Sequence, residues 1–268
     1  MSKRETYEQA LERLRSETMT DTVLFKLTKT NPSIFESKVG GTPYIPRDRE
    51  LPNDGDGNQL RFLAQIDCES LKTLPDFPHR GLLQFFISES DILGLDEDDG
   101  FKVFYYEEAD KTVTEQECKA KIKPLNEPDE RYMPVEGEYG MEFKPEKMSM
   151  TMVDYRYNDL ARSKLEDEVD EDLFDEIFYN YDEDDDECEC DDDGYCEHRS
   201  GGYPYFTQYD PRDEESEHTV LLFQLDSDYG GGEERVMWGD SGICNFFIRP
   251  GDLKNRDFTN VLYNWDCC

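Results

Sequence analysis

The hydrophobic positions of this chain change period along its length. In EQALERLRS, Ala10, Leu11 and Leu14 fall on the same side as Tyr7, which is helical spacing and predicts an amphipathic N-terminal helix. TVLFKL (22–27) is β-rich, and Asn31-Pro32 then marks a break. FLAQID (62–67), GLLQFFIS (81–88) and FKVFYYE (101–107) are short apolar runs bounded by turn residues, so they predict strands. In the last third, VLLFQLDS (220–227), SGICNFFIRPGDL (241–253) and NVLYNWD (260–266) have the same character.

These late runs echo the early ones in order. SGGYPYFTQ repeats GGTPYIP, VLLFQLDS repeats FLAQIDCE, and SGICNFFIRPGDL repeats RGLLQFFISESDI. Gly40 to Gly201 is an offset of 161, Gln65 to Gln224 of 159, and Phe85 to Phe246 of 161. An ordered series at near-constant spacing predicts an internal duplication. Between the halves, Leu165, Val169, Leu173 and Ile177 recur every four residues, predicting a long amphipathic helix within 149–181. Its other face is acidic: residues 166–193 hold 18 Asp/Glu and no Lys/Arg. The expected fold is therefore mostly antiparallel β (α+β), with duplicated β-roll or sheet halves, an N-terminal helix and a long acidic connecting helix. The expected divisions are 1–36 (helix and strand), 37–148 (first half), 149–199 (acidic helical connector and Cys-containing loop) and 200–268 (second half), together one domain.

Charge narrows the partners. The 268 residues carry 29 Lys/Arg against 65 Asp/Glu, a formal charge of −36. Nucleic acid and anionic membranes are both recognised by basic patches, so neither is an expected partner, whereas a basic protein is. Aromatics at 13% argue against wholesale disorder. No stretch approaches 18 consecutive apolar residues, and MSKRETYEQALERLRS has no apolar core of signal-peptide length, so a cytoplasmic address and reduced cysteines are expected.

Four constellations carry candidate chemistry. Cys188, Cys190, Cys196 and His198 offer thiolates and an imidazole for zinc, the one cofactor the sequence suggests, although a C-x-C pair is tighter than the usual spacing. Asp54-Gly-Asp56-Gly-Asn58 begins like a calcium loop, but Gln59 and Gln65 stand where Gly and a bidentate Glu are needed, so it reads as a turn, as does Asp96–Gly100. Gln65, Asp67 and Gln84, with Gln224, Asp226 and Asn245, are polar positions inside apolar runs. They either satisfy backbone groups in each half or line a polar cleft between the halves. Met237-Trp238-Gly-Asp240-Ser-Gly contains a Gly-Asp-Ser-Gly segment with no histidine in a protease-like motif. Asp240 therefore reads as a turn residue, and Trp238 and Trp265 as core anchors or cleft walls. Neither a dinucleotide nor a phosphate-loop glycine motif is present.

The blocks KVGGTPYIP, FLAQID, GLLQFF, GGYPYFTQYDPR, LLFQLDSD, MWGDSGICNFFI and DLKNRDFTNVLYNWD resemble the YwqG-like family of bacterial proteins, from about Ser37 onward. The resemblance implies a mostly antiparallel, internally repeated β fold with a few helices, and it transfers no catalytic residues. The expected function is a non-enzymatic acidic binding protein, for example an inhibitor or immunity protein for a basic partner. The alternatives are a carbohydrate-like ligand receptor or enzyme with a cleft between the halves, and a zinc-binding accessory protein.

Overall fold

The computed structural model describes residues 3–124, 132–165 and 198–267. Helix α1 (Lys3–Glu17) leads into strand β1 (Thr20–Thr28). Strands β2 (Lys38–Gly40), β3 (Arg61–Asp67), β4 (Leu82–Ile87) and β5 (Phe101–Tyr106) follow, then helix α2 (Glu115–Lys119), strand β6 (Glu138–Met148) and helix α3 (Tyr157–Leu165). The last stretch holds β7 (Arg199–Gly201), β8 (Val220–Asp226), β9 (Ile243–Ile248), helix α4 (Pro250–Asn255) and β10 (Val261–Asp266).

Among the described residues all ten strands form one sheet, in the order β10-β9-β8-β7-β1-β6-β2-β3-β4-β5, and every pairing is antiparallel. The order is symmetric about its centre. Outward from the central pair β1–β6, one side runs β2 to β5 and the other β7 to β10. Gly40 of β2 stands opposite Glu138 of β6, and Gly201 of β7 stands opposite Thr22 of β1, so β6 serves the first half as β1 serves the second. Each half also carries an irregularity at the same place, between Phe62 and Ala64 in β3 and between Leu221 and Phe223 in β8. The extra residue puts Leu63 with Ala64, and Leu222 with Phe223, in the inner core.

The sheet curls upon itself. β4 and β8 are six places apart, which would be about 29 Å in a flat sheet. Yet the rings of Phe85 and Phe223 lie 4.4 Å apart, and Phe85 also meets Phe246 at 4.9 Å. The two edge strands approach in the same way, with Phe101 of β5 at 5.1 Å from Tyr263 of β10. The inner faces thus enclose one core in which Phe25 of β1 stacks on Phe223 at 5.6 Å. Every residue of LLQFFI (β4) and ICNFFI (β9) is buried because both faces are covered. Outside the first half, the 41–60 segment and α2 bring Tyr44, Ile45, Leu51 and Cys118 onto Leu82 and Phe86. Outside the second, Phe206 packs on Leu221 and Phe247.

Residues 1–36 hold the expected helix and strand, and that strand, β1, lies at the sheet's centre, paired on both sides. Two sequence expectations change. A long strand, β6, stands where the sequence reads none: Glu142, Lys144 and Pro145 are exposed and mask an alternation of Tyr139, Met141 and Phe143 that packs on the core. The connecting helix starts at Tyr157 rather than near Ser149, after a run of turns, and its expected acidic continuation beyond Leu165 lies outside the described residues. No described helix is long and apolar enough to cross a membrane.

Because β1 supplies a partner to both β6 and β7, a chain beginning at Ser37 is expected to lose the cooperative unfolding transition followed by far-UV circular dichroism. A cooperative transition at an unchanged midpoint would show that β1 is dispensable.

Candidate functional site

The polar positions inside the strands resolve into two clamps. Gln65 and Gln84 face each other across β3 and β4, Gln224 and Asn245 across β8 and β9, and all four are fully buried. Gln65 Oε1 accepts from the Tyr44 backbone N–H at 3.1 Å and from Gln84 Nε2 at 2.7 Å. Gln65 Nε2 donates to the carbonyls of Ile34 (3.0 Å) and Glu36 (2.9 Å), and Gln84 Nε2 donates to the Tyr44 carbonyl at 2.8 Å. In the other half, Gln224 Oε1 accepts from the Tyr205 N–H at 2.8 Å, and Asn245 Nδ2 donates to the Tyr205 carbonyl at 3.0 Å. Each pair binds both backbone groups of the tyrosine in a Gly-Gly-x-Pro-Tyr segment. Those segments begin with left-handed glycines, Gly40 and Gly41 at φ 68° and 74°, Gly201 and Gly202 at φ 69° and 72°. A Cβ on Gly40 would sit 2.1 Å from the Gly137 carbonyl oxygen, so the turn requires glycine there. The amides hold loops to the sheet, each pair in its own half, and do not line an open cleft.

The remaining predicted residues are dispersed. Asp67 accepts from the Glu69 N–H at 3.1 Å and caps the short helical turn after β3. Asp226 accepts from the Ser227 N–H at 2.8 Å. Trp238 is fully buried with its ring 6.2 Å from Trp265, whose Nε1 donates to the Ile92 carbonyl at 2.7 Å. Asp240 is exposed on a turn in which Ser241 has φ 62°.

His198 occupies the place in the second half that Ser37 holds in the first. Ser37 Oγ accepts from the Asp67 N–H at 2.8 Å, and His198 Nδ1 accepts from the Asp226 N–H at 3.0 Å. That bond leaves the ring proton on Nε2, which faces Asp228 Oδ2 at 3.3 Å. The ring also stacks on Phe25 at 5.2 Å. Burial pushes the Asp228 carboxyl up, but hydrogen bonds from His198 and the Gly230 N–H, with Arg235 at 3.7 Å, outweigh it and hold the group below the ordinary carboxylate range. A metal at His198 would have to displace one of these partners. Cys188, Cys190 and Cys196 lie outside the described residues. Among the described residues, no group of three or more His, Cys, Asp or Glu side chains is placed to hold a metal ion.

One acidic concave feature joins two turns that the sequence reads separately. The Asp54–Asn58 turn is built by its own aspartate: Asp54 Oδ1 accepts from the N–H groups of Asp56 (3.0 Å) and Asn58 (2.8 Å). The Asp96–Gly100 turn lies against it, with the Gly55 N–H donating to the Asp98 carbonyl at 2.8 Å. Between them and the end of β4 opens a pocket of about 440 Å³ lined by Asp54, Asp56, Glu89, Glu97 and Asp98. Glu89 is 9% exposed and is held by Arg61, whose Nη2 donates to its Oε1 at 2.5 Å. Arg61 is anchored in turn by the carbonyls of Lys123 and Pro124. Sequence reasoning found both turns and missed Glu89 and the apposition, because nothing local to either turn encodes the Gly55–Asp98 contact. A second cavity, about 480 Å³, lies at the seam between β5 and β10, with Phe101, Tyr105, Phe258 and Val261 in its walls and Arg49 and Arg256 among its charges.

The family model described as a domain of unknown function (DUF1963) matches residues 37–267. No curated protein matches the chain.

Removing the Gln65 side chain leaves the buried N–H of Tyr44 and the carbonyls of Ile34 and Glu36 without their partner. Each unsatisfied buried group costs about 1–3 kcal/mol. Gln65→Ala is therefore expected to lower the free energy of urea unfolding by at least about 2 kcal/mol, and a loss under about 0.5 kcal/mol would contradict the clamp.

Proposed function

The chain belongs to the DUF1963 family, and from the surface that this fold presents we propose that it is a non-enzymatic binding protein for a basic partner. The supporting observation is the apposition of the two acidic turns, which gathers five carboxylates around one pocket on a protein of charge −36. Among the described residues, the buried cations Lys38, Arg61, Arg199 and Arg212 are balanced closely by the buried carboxylates Glu89, Asp154 and Asp228. The carboxylate excess that the described residues carry therefore faces solvent, where it accelerates encounter with a cationic surface and repels anionic ones. An inhibitor or immunity role toward a basic protein is the concrete form of this reading.

We also infer that the halves descend from one duplicated unit, and that the chain is YwqG-like within its family on the motifs quoted above. Duplication is supported by the repeated strand order, the matching irregularities in β3 and β8, the paired left-handed glycines and the two tyrosine-binding amide clamps.

Binding of fluorescent decalysine, followed by anisotropy, tests the function. Affinity is expected to fall steeply as salt shortens the Debye length from about 14 Å to about 7 Å. The triple variant Asp56→Asn/Glu97→Gln/Asp98→Asn is expected to bind about tenfold more weakly. A control that removes the same charge elsewhere, Glu214→Gln/Glu215→Gln/Glu234→Gln, is expected to change affinity by no more than about twofold. Equal losses in the two variants, or salt-independent binding, would contradict a directed acidic docking site.

A further inference from the structure

We propose that the open edge of β5 receives an extended segment of another protein as an added antiparallel strand, with a single carboxylate at that segment's N-terminal end. The site lies on the seam between β5 and β10, not in the acidic pocket, and it stands whether or not that pocket binds a basic partner.

The curled sheet has two edges, β5 and β10, and they face each other. The Ser88 N–H donates to the Gly100 carbonyl at 2.8 Å and extends the β4–β5 register, so Lys102, Phe104 and Tyr106 bond to β4. Phe101, Val103 and Tyr105 therefore turn their N–H and C=O groups toward the seam, where no described backbone group pairs with them. The cavity of about 480 Å³ touches all five residues from Phe101 to Tyr105, so it runs along the edge of the strand and not over one face. It meets β10 only at Val261. Further along, β10 is bonded to the 92–93 turn: Tyr263 Oη donates to the Leu93 carbonyl at 3.0 Å and Trp265 Nε1 to that of Ile92. The open edge is therefore that of β5, and an unpaired row of backbone groups is a template for another strand. β5 and β10 stand nine places apart in an all-antiparallel sheet, so they run in opposite directions. A single added strand can be antiparallel to only one of them, and the accessible backbone assigns it to β5.

The lining sets the occupant's chemistry. Phe101 and Tyr105 pack on the inner core, and Phe258 meets Tyr105 at 5.5 Å, so residues of the added strand opposite Phe101, Val103 and Tyr105 face apolar walls. Both carboxylates of the lining are engaged, Asp99 by Lys102 and Asp257 by the Thr259 N–H and hydroxyl. Arg49 and Arg256 have no carboxylate partner among the described residues. Arg49 lies over the Tyr106 ring at 5.8 Å, and Arg256 donates to the carbonyls of Leu253 (2.7 Å) and Phe77 (3.0 Å). Both stand at the Tyr105–Tyr106 end of the strand, Arg256 two residues before Phe258. An antiparallel partner begins at that end, which places its carboxylate in its first residue. On a chain of charge −36 a polyacidic segment is repelled, so one carboxylate is favoured over several. A second copy of this chain would bring another −36 to the same edge, and the occupant is accordingly a different protein.

The peptide acetyl-Glu-Val-Thr-Val-Thr-Val-amide tests the site, its glutamate opposite Tyr106 and its valines opposite Tyr105, Val103 and Phe101. Amide hydrogen exchange of the full chain, followed by NMR, is expected to show saturable protection of the Phe101, Val103 and Tyr105 N–H groups, while those of Lys102 and Phe104 are protected with or without peptide. Methylating the amide nitrogen of the central valine is expected to weaken binding about tenfold. Arg49→Gln, which alters an exposed side chain, is expected to weaken this peptide about threefold and to leave the reversed sequence, acetyl-Val-Thr-Val-Thr-Val-Glu-amide, unaffected. No protection at the three amides, protection of Val261, Tyr263 and Trp265 in their place, or methylation without effect would overturn the proposal. Equal effects of Arg49→Gln on the two peptides would contradict the assigned carboxylate end. Protection of the same three amides by self-association without peptide would give the edge to a second copy and overturn the proposal as well.

Discussion

The antiparallel pairing of β1 with β6 is the constraint on which the rest of the structure depends. From Thr20 opposite Met148 to Thr28 opposite Gly140, this pair is the junction at which the two halves become one sheet. Each strand then offers its free edge to a three-residue strand, β1 to β7 and β6 to β2, and those short strands hand the sheet on to the long ones. Phe25 of β1 meets its cross-strand partner Phe143 at 5.6 Å and stacks on Phe223 at 5.6 Å, and because the sheet curls about this junction the apolar inner faces of both halves share one core. That shared burial is the dominant favourable term, and it exists only while the central register is kept.

The short apolar strands were legible because local composition and tertiary position agree. In β4 and β9 both faces are buried, so an unbroken apolar run is what the fold demands, and turn residues mark the ends. The central strand β6 was illegible for the opposite reason. Glu142 and Lys144 face solvent and Pro145 lacks an amide proton, so local propensity opposes a strand that tertiary pairing nevertheless enforces. The alternation of Tyr139, Met141 and Phe143 was the available signal. For α2, the signal was the Thr114–Glu117 capping box, in which each residue bonds the other's backbone N–H.

At the candidate site, residue types were legible and their partners were not. Gln65, Gln84, Gln224 and Asn245 declared themselves as polar positions in apolar runs, but their hydrogen bonds run to Tyr44 and Tyr205, 21 and 19 positions from Gln65 and Gln224. In the sequence, His198 stands beside Cys196 and reads as a metal ligand. The offset of 161 that relates Gly40 to Gly201 also relates Ser37 to His198, and it was the better guide, because both side chains accept the N–H of the aspartate that ends the paired strand. The acidic pocket needed coordinates, since its two turns are joined by one backbone hydrogen bond between Gly55 and Asp98.

Native-state amide hydrogen exchange in graded urea tests the central claim most directly. If the β1–β6 junction makes the halves one cooperative unit, the amides of β1, β4, β6 and β9 exchange only through global unfolding, with one shared free energy and one urea dependence. A distinct, lower-energy opening that exposes β7–β10 while β2–β5 stay protected, or the reverse, would contradict the account.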